Sequence, residues 1–205
     1  MKVAILVFPG VEELDFVGFL EALIIANRIE GGKHFETAIV GTERGPITCG
    51  GGMRVMPDLT LARLGDSDLV FVPGGGASRG TGVDLMVKNK SVLDSLRKAY
   101  LEGRKVWSVC TGALILGRAG LLKGRRATTH HSYLNQIRLD GAKVVAERTV
   151  TDGRVTTGGG ISSSIDVGLA LVEEELGEAV RKEVQARMEY PNSGKKKGRA
   201  GQIRS

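Results

Sequence analysis

Cysteine and histidine are scarce in this chain of 205 residues. The two cysteines, Cys49 and Cys110, form no CxxC pair and sit in unlike surroundings. A disulfide framework is therefore excluded, and a reducing, cytoplasmic compartment is the simpler expectation. Only His34, His130 and His131 carry imidazoles, with no HExxH pattern, so no metal site is expected. No apolar run approaches the ~20 residues of a membrane-spanning helix. Met1 to Phe8 passes straight into a strand-like pattern, without the charged lead and small-residue cleavage site of a signal peptide. Neither a linker nor a repeat of about 20–50 residues divides the chain, so one domain over 1–191 is expected. The balance of 41% hydrophobic and 25% charged residues excludes wholesale disorder.

The net charge of +6 invites a nucleic-acid reading, but its distribution argues against one. Residues 194–205 (GKKKGRAGQIRS) hold three Lys, two Arg and no acid, leaving the rest nearly neutral. No recognition-helix pair, zinc spacing or aromatic–basic motif accompanies them, so nucleic acid is not an expected partner. Residues 192–205 read as a basic, solvated, disordered tail.

Glycine is abundant, 30 residues, and clusters at 50–52, 74–76 and 158–160, where tight turns and close backbone approaches are expected. Between these clusters, unbroken apolar runs at Lys2–Phe8, Asp68–Val72 and Lys105–Val109 predict strands buried on both faces. Phe35–Val40, Arg54–Met56, Ala142–Ala146 and Arg148–Thr151 predict further strands, and Asp152-Gly153 marks a hairpin into Arg154–Thr157. Helical spacing runs through Glu12–Ile29, with Leu14, Val17, Leu20, Ile24 and Ile25 on one broad apolar face. Ser91–Leu101, Thr111–Ala119, Ile161–Leu176 and Glu178–Glu189 are also expected helices. Apolar strands alternating with helices imply an α/β sandwich: a mainly parallel sheet with helices on both faces.

The stretch Val106 to Leu114 (VWSVCTGAL) carries the most chemistry. A buried strand ends at Cys110, and a helix begins at once with Gly112 two residues on. That is the geometry of a nucleophile elbow. A thiol at a helix N-terminus is expected to be acidified, giving thiolate near neutral pH. Pro73-Gly74-Gly75-Gly76 ends a neighbouring strand and is either a plain turn or, with the Thr111 N–H, an anion pocket. Asp15, among Leu14, Phe16 and Val17, is either a half-buried carboxyl of raised pKa or a solvated first-turn acid; pattern alone favours neither. His130 and His131 are either bases near Cys110 or pocket lining. Cys49 lies in a Gly-rich loop and reads as a bystander.

Pro73-Gly74-Gly75, Ser108-Val109-Cys110-Thr111-Gly112, Gly120-Leu121-Leu122-Lys123-Gly124 with Ala127-Thr128-Thr129-His130, and Thr157-Gly158-Gly159-Gly160 with Asp166 together resemble the ThiJ/PfpI (DJ-one) superfamily. The resemblance covers Met1 to about Pro191. Within the superfamily, Leu14-Asp15-Phe16-Val17-Gly18 and the Cys110-Thr111 pair look like the isonitrile hydratases. The resemblance implies a flavodoxin-like homodimer acting on a small molecule without a cofactor. It implies Cys110 as nucleophile, Asp15 as proton carrier where many relatives have Glu, and Thr111, Gly74, Gly75 and His130 around the substrate. The product would be an N-substituted formamide, formed through a thioimidate. Thr111 stands where the protease-like branch has His, which argues against a peptidase. No His-x-Glu pair supports an amidotransferase. Regulators of this superfamily add a C-terminal DNA-binding domain, for which the residues after Tyr190 leave no room. Two other roles fit the same cysteine: conversion of α-oxoaldehydes with His130, or redox sensing by oxidation to sulfinate.

Overall fold

The computed structural model describes residues 1–191; the basic stretch 192–205, expected to be a disordered tail, lies outside the described residues. In chain order the elements begin with β1 (Lys2–Val7), α1 (Glu13–Ile29) and β2 (Glu36–Gly41). A small hairpin of β3 (Ile47–Thr48) and β4 (Arg54–Val55) follows, then β5 (Leu59–Thr60), a 3₁₀ segment Leu61–Asp66 and β6 (Leu69–Val72). Next come α2 (Gly82–Met86), α3 (Lys90–Leu101), β7 (Lys105–Ser108), α4 (Gly112–Arg118) and β8 (Arg126–Ala127). A 3₁₀ turn at His131–Tyr133 leads into α5 (Leu134–Leu139), β9 (Lys143–Val144), β10 (Thr149–Asp152), β11 (Val155–Gly158) and α6 (Ser163–Arg187).

Seven strands form one sheet in the order β10-β11-β7-β6-β1-β2-β5. Every pairing in it is parallel except the edge hairpin β10–β11, which turns at Gly153-Arg154, one residue later than the expected Asp152-Gly153 because Asp152 still pairs with Val155. The chain starts in the middle at β1, runs outward to β2 and β5, then crosses back to β6. That reversal opens a crevice at the carboxyl ends of β1, β6 and β7, where ligands of parallel sheets usually sit. The central strands are buried throughout, which is why their sequences show unbroken apolar runs rather than alternation. The two expected C-terminal helices form one run broken at Gly177, whose φ of 87° and ψ of 168° no helix accommodates.

Helix α1 differs from its expected orientation. Its buried stripe is Asp15, Phe16, Phe19, Ala22, Leu23 and Ala26, whereas Leu14 and Val17 are 42% and 40% exposed. The spacing of Asp15, Phe19, Ala22 and Ala26 is itself helical, so the carboxyl belongs to the core-facing side. Phe19 fixes that face by stacking on Phe71 of β6, ring centroids 3.8 Å apart. On the other flank, Gly168 of α6 lets the helices close: a Cβ there would stand 2.8 Å from Ala22 Cβ. The helix thus carries two apolar sides, one of them open to solvent.

Candidate active site

Strand β7 delivers the chain to Cys110 in a left-handed conformation, φ 53°, rare for a residue with a side chain. Such a conformation costs about 1–3 kcal/mol and persists only where its surroundings over-determine it. They do so here. The Cys110 N–H donates to Gly159 O at 2.7 Å and Gly158 O at 3.1 Å. Its carbonyl accepts the Thr129 hydroxyl at 2.7 Å. Gly112 turns the chain into α4 so tightly that a Cβ would stand 2.2 Å from Val72 O. The elbow read from the sequence is therefore present, with Cys110 buried.

Asp15 meets this elbow from α1. The side chain is fully buried; its Oδ2 accepts the Gly74 N–H at 2.7 Å, and its Oδ1 has no hydrogen bond among the described residues. Burial pushes the carboxyl up to about 7, against the opposing pull of the Gly74 N–H. The charge of Glu12 adds to the rise, and the adjacent Cys110 thiol partly offsets it. Of the two readings open for Asp15, the buried carboxyl is the one found.

Thr111 ties the glycine loop to the elbow. Its hydroxyl donates to Gly75 O at 2.9 Å and accepts the Gly75 N–H at 3.0 Å. This corrects the expectation for Gly74 and Gly75: neither N–H is open to an oxyanion, because Asp15 and Thr111 occupy them. Both glycines act by close approach instead. A Cβ on Gly74 would stand 2.6 Å from Thr111 Oγ1, and one on Gly75 2.4 Å from Gly10 O. The donors facing the sulfur are the N–H groups of Thr111 and Ile161; the Thr111 hydroxyl lies beside it but gives its proton to Gly75 O. Ile161 and Thr129 were not singled out from the sequence. Their only signal is position, directly after the glycine cluster 158–160 and directly before His130.

The pocket opposes the expected acidification of Cys110. Burial, and then the charge of Asp15, push its thiol up to about 12, outweighing the stabilising contacts from Thr111 and Ile161. Helix α4 has only seven residues, and its N-terminal field does not overcome a dry pocket beside a carboxylate. The resting proton therefore sits on sulfur when Asp15 is ionised, and the two groups titrate as a coupled pair.

His130 is half-buried and, among the described residues, makes no hydrogen bond to Cys110. Its Nδ1 accepts the Ser132 N–H at 3.3 Å, and its ring packs beside Gly160. Burial and the neighbouring His131 hold its pKa below the ordinary imidazole value, leaving it neutral near pH 7. Cys49 is buried away from the elbow, in a loop that Glu13 holds through the Gly51 N–H at 2.8 Å. Burial and the charges of Glu13 and Glu12 push its thiol up to about 11, which makes it inert.

Comparison with known proteins agrees with this architecture. An isonitrile hydratase of Pseudomonas putida is 35% identical over 190 residues, 93% of this chain and 78% of that enzyme. A deglycase of Thermococcus kodakarensis is 30% identical over 155 residues, 75% of this chain and 86% of the deglycase. The crystal structure of a ThiJ/PfpI family protein from Pseudomonas syringae superposes with a TM-score of 0.82 at 29% identity, covering 98% of this chain and 78% of that one. The DJ-1/PfpI family pattern matches residues 1–174. With that match, a parallel sheet and a strained cysteine at the end of β7, the chain belongs to the DJ-1/PfpI family.

Proposed function

We propose that the protein is a cysteine-dependent hydratase converting an isonitrile to an N-substituted formamide. One observation carries this reading: a fully buried carboxyl, Asp15, pinned through one oxygen by Gly74, with its other oxygen unengaged beside the Cys110 thiol. An isonitrile carbon must gain a sulfur and a proton together, and this pair supplies both. Asp15 takes the thiol proton as Sγ bonds to the terminal carbon of R–N≡C, then delivers it to that carbon, giving the thioimidate R–N=CH–S–Cys110. Water adds across the C=N bond to give R–NH–CH(OH)–S–Cys110. Collapse breaks the C–S bond, releases R–NH–CHO and returns the proton to sulfur through Asp15. Water is the only co-reactant, and the atoms balance without a cofactor. A carboxyl with a pKa near 7 both accepts and donates at neutral pH, which is what general acid–base catalysis asks of it.

The similarity to the Pseudomonas putida isonitrile hydratase supports the substrate class. The similarity to a deglycase favours a second reading, in which the same thiol attacks an α-oxoaldehyde. Turnover of an aryl isocyanide by the full chain separates the two. Formamide forms with the wild type and not with Cys110→Ala. Lactate from methylglyoxal without glutathione, and no formamide, transfers the site to α-oxoaldehydes. Neither product, with peroxide adding two oxygens at Cys110, refutes both in favour of redox sensing.

A homodimer is part of the proposal. Leu14 and Val17 flank Asp15 on the exposed side of α1. Ile161, 38% exposed, lies by the contact in which the Ser164 hydroxyl donates to Leu14 O; Met53 lies in the loop held by Glu13. An open apolar face around the site's mouth is what a second copy would cover. Sedimentation is expected to give twice the 21.8 kDa chain mass. A 21.8 kDa species would refute the dimer and leave the chemistry standing.

A further inference from the structure

The opposite edge of the sheet holds a second concavity. Where β7 and β11 begin, a cavity of about 490 Å³ is bordered by Arg104, Lys105, Arg154, His34, Asp68 and Glu175. Cys110 lies five residues beyond Lys105 along the chain, roughly 16 Å at the ~3.3 Å rise of a parallel strand. The cavity is therefore separate from the elbow.

The hydrogen-bond accounting of this cavity is incomplete on the donor side. Lys105 is committed, its Nζ 2.6 Å from Glu175 and 2.8 Å from Glu174. Arg154 lies over the Tyr100 ring at 4.2 Å and spends Nη1 on the carbonyls of Tyr100 and Arg104. Its Nε and Nη2 make no hydrogen bond among the described residues. Arg104 Nε and His34 Nε2 are both buried with no partner among the described residues. The nearest carboxylate to the Arg104 guanidinium is Asp68, 3.9 Å away, too far for a hydrogen bond, and its Oδ2 already accepts the Lys2 N–H at 2.8 Å. Two arginine side chains thus border one hollow with two carboxylates, Glu175 paired with Lys105 and Asp68 3.9 Å from Arg104. The Nε and Nη2 edge of Arg154 is left without an acceptor, and an anion in the hollow would supply one.

We propose that this cavity binds a small dianionic phosphate, free or as a phosphomonoester. Tetrahedral oxygens can take the guanidinium groups of Arg104 and Arg154 at once, and arginine forks match phosphate geometry. Asp68 is then a competitor, holding affinity down.

Calorimetric titration of the full chain with inorganic phosphate and with phenyl phosphate, at fixed ionic strength, tests this. One saturable site is expected. Arg104→Gln should weaken it at least about tenfold, the loss expected for a charge-assisted contact. Asp68→Asn keeps an acceptor for the Lys2 N–H while removing the competing charge, and should tighten binding several-fold. Neither variant should change the alkylation rate of Cys110. The opposite signs guard against misfolding as an explanation, since a disrupted fold would not bind more tightly. Binding that is equal in wild type and Arg104→Gln would assign the anion to the basic residues 194–205 and overturn the proposal. So would the absence of saturable heat in the millimolar range. Malonate binding more tightly than phosphate would overturn the assignment of ligand class.

Discussion

Asp15→Asn is expected to make Cys110 react faster with iodoacetamide while sharply lowering the proposed isonitrile hydration. The two effects have one origin. In the wild type the thiol stands near 12 because of burial and because an ionised carboxyl lies beside it. Asparagine keeps the acceptor for the Gly74 N–H but carries no charge, so the repulsion disappears and thiolate becomes more available at neutral pH. Hydration needs a proton carried from sulfur to the substrate carbon, which asparagine cannot do. Turnover should fall by about 10²–10⁴-fold, the usual weight of a positioned acid–base group. Alkylation and turnover moving in opposite directions would establish the carboxyl as the proton carrier. Both falling together would mean that Asp15 holds the elbow in shape. Unchanged turnover would remove it from the mechanism.

The same substitution should remove the pH dependence of stability that Asp15 imposes. Unfolded Asp ionises near 3.8, whereas folded Asp15 keeps its proton until about 7. Between those values the folded state holds a proton that the unfolded state has lost, so stability falls as pH rises and levels off above 7. The accumulated loss is on the order of a few kcal/mol. Asp15→Asn removes it, so the variant should match the wild type below pH 4 and unfold at higher urea at pH 8. The buried Asp15 carboxyl is thus held at the expense of stability.

How far the site could be read in advance depended on the range of each interaction. β1, β6 and β7 were legible because a strand buried on both faces writes an uninterrupted apolar run. The elbow was legible because strand, Cys110 and Gly112 are neighbours in the chain. The face of α1 was not. Leu14 and Val17 form one apolar side and Phe16, Phe19 and Leu23 another, and only stacking on Phe71, far away in sequence, decides which is buried. The thiol pKa failed for the same reason. A local reading sees a helix N-terminus, while the larger influences are burial and Asp15. Gly74 and Gly75 look like free donors until Asp15 and Thr111, brought from two other segments, occupy them. The two-residue strands β3, β5, β8 and β9 are too short to show any period.

Gly112→Ala brings the local and the tertiary reading into direct conflict. Gly112 opens helix α4 without a positive φ, so propensity alone makes alanine about 0.5–1 kcal/mol better there. The packing says the reverse. The new Cβ would stand 2.2 Å from Val72 O and 2.7 Å from Pro73 O, both backbone atoms at the end of a central strand. Neither can rotate away; relief requires moving α4 from β6, and with it the turn that holds Cys110 at φ 53°. We expect a destabilisation of about 3 kcal/mol or more, the upper end of what overpacking of a core costs. Gly120→Ala is the control. Its φ of 77° strains a side chain, but nothing lies within 4 Å of the new Cβ, so it should cost only about 1 kcal/mol. Urea unfolding of both variants, with Cys110 alkylation as the probe of elbow geometry, compares the two costs. If Gly112→Ala unfolds with the wild type and alkylates at the same rate, the contact with β6 is not what shapes the elbow. If it is lost while Gly120→Ala survives, the glycine two residues after Cys110 is there for the strand it packs against rather than for its own backbone freedom.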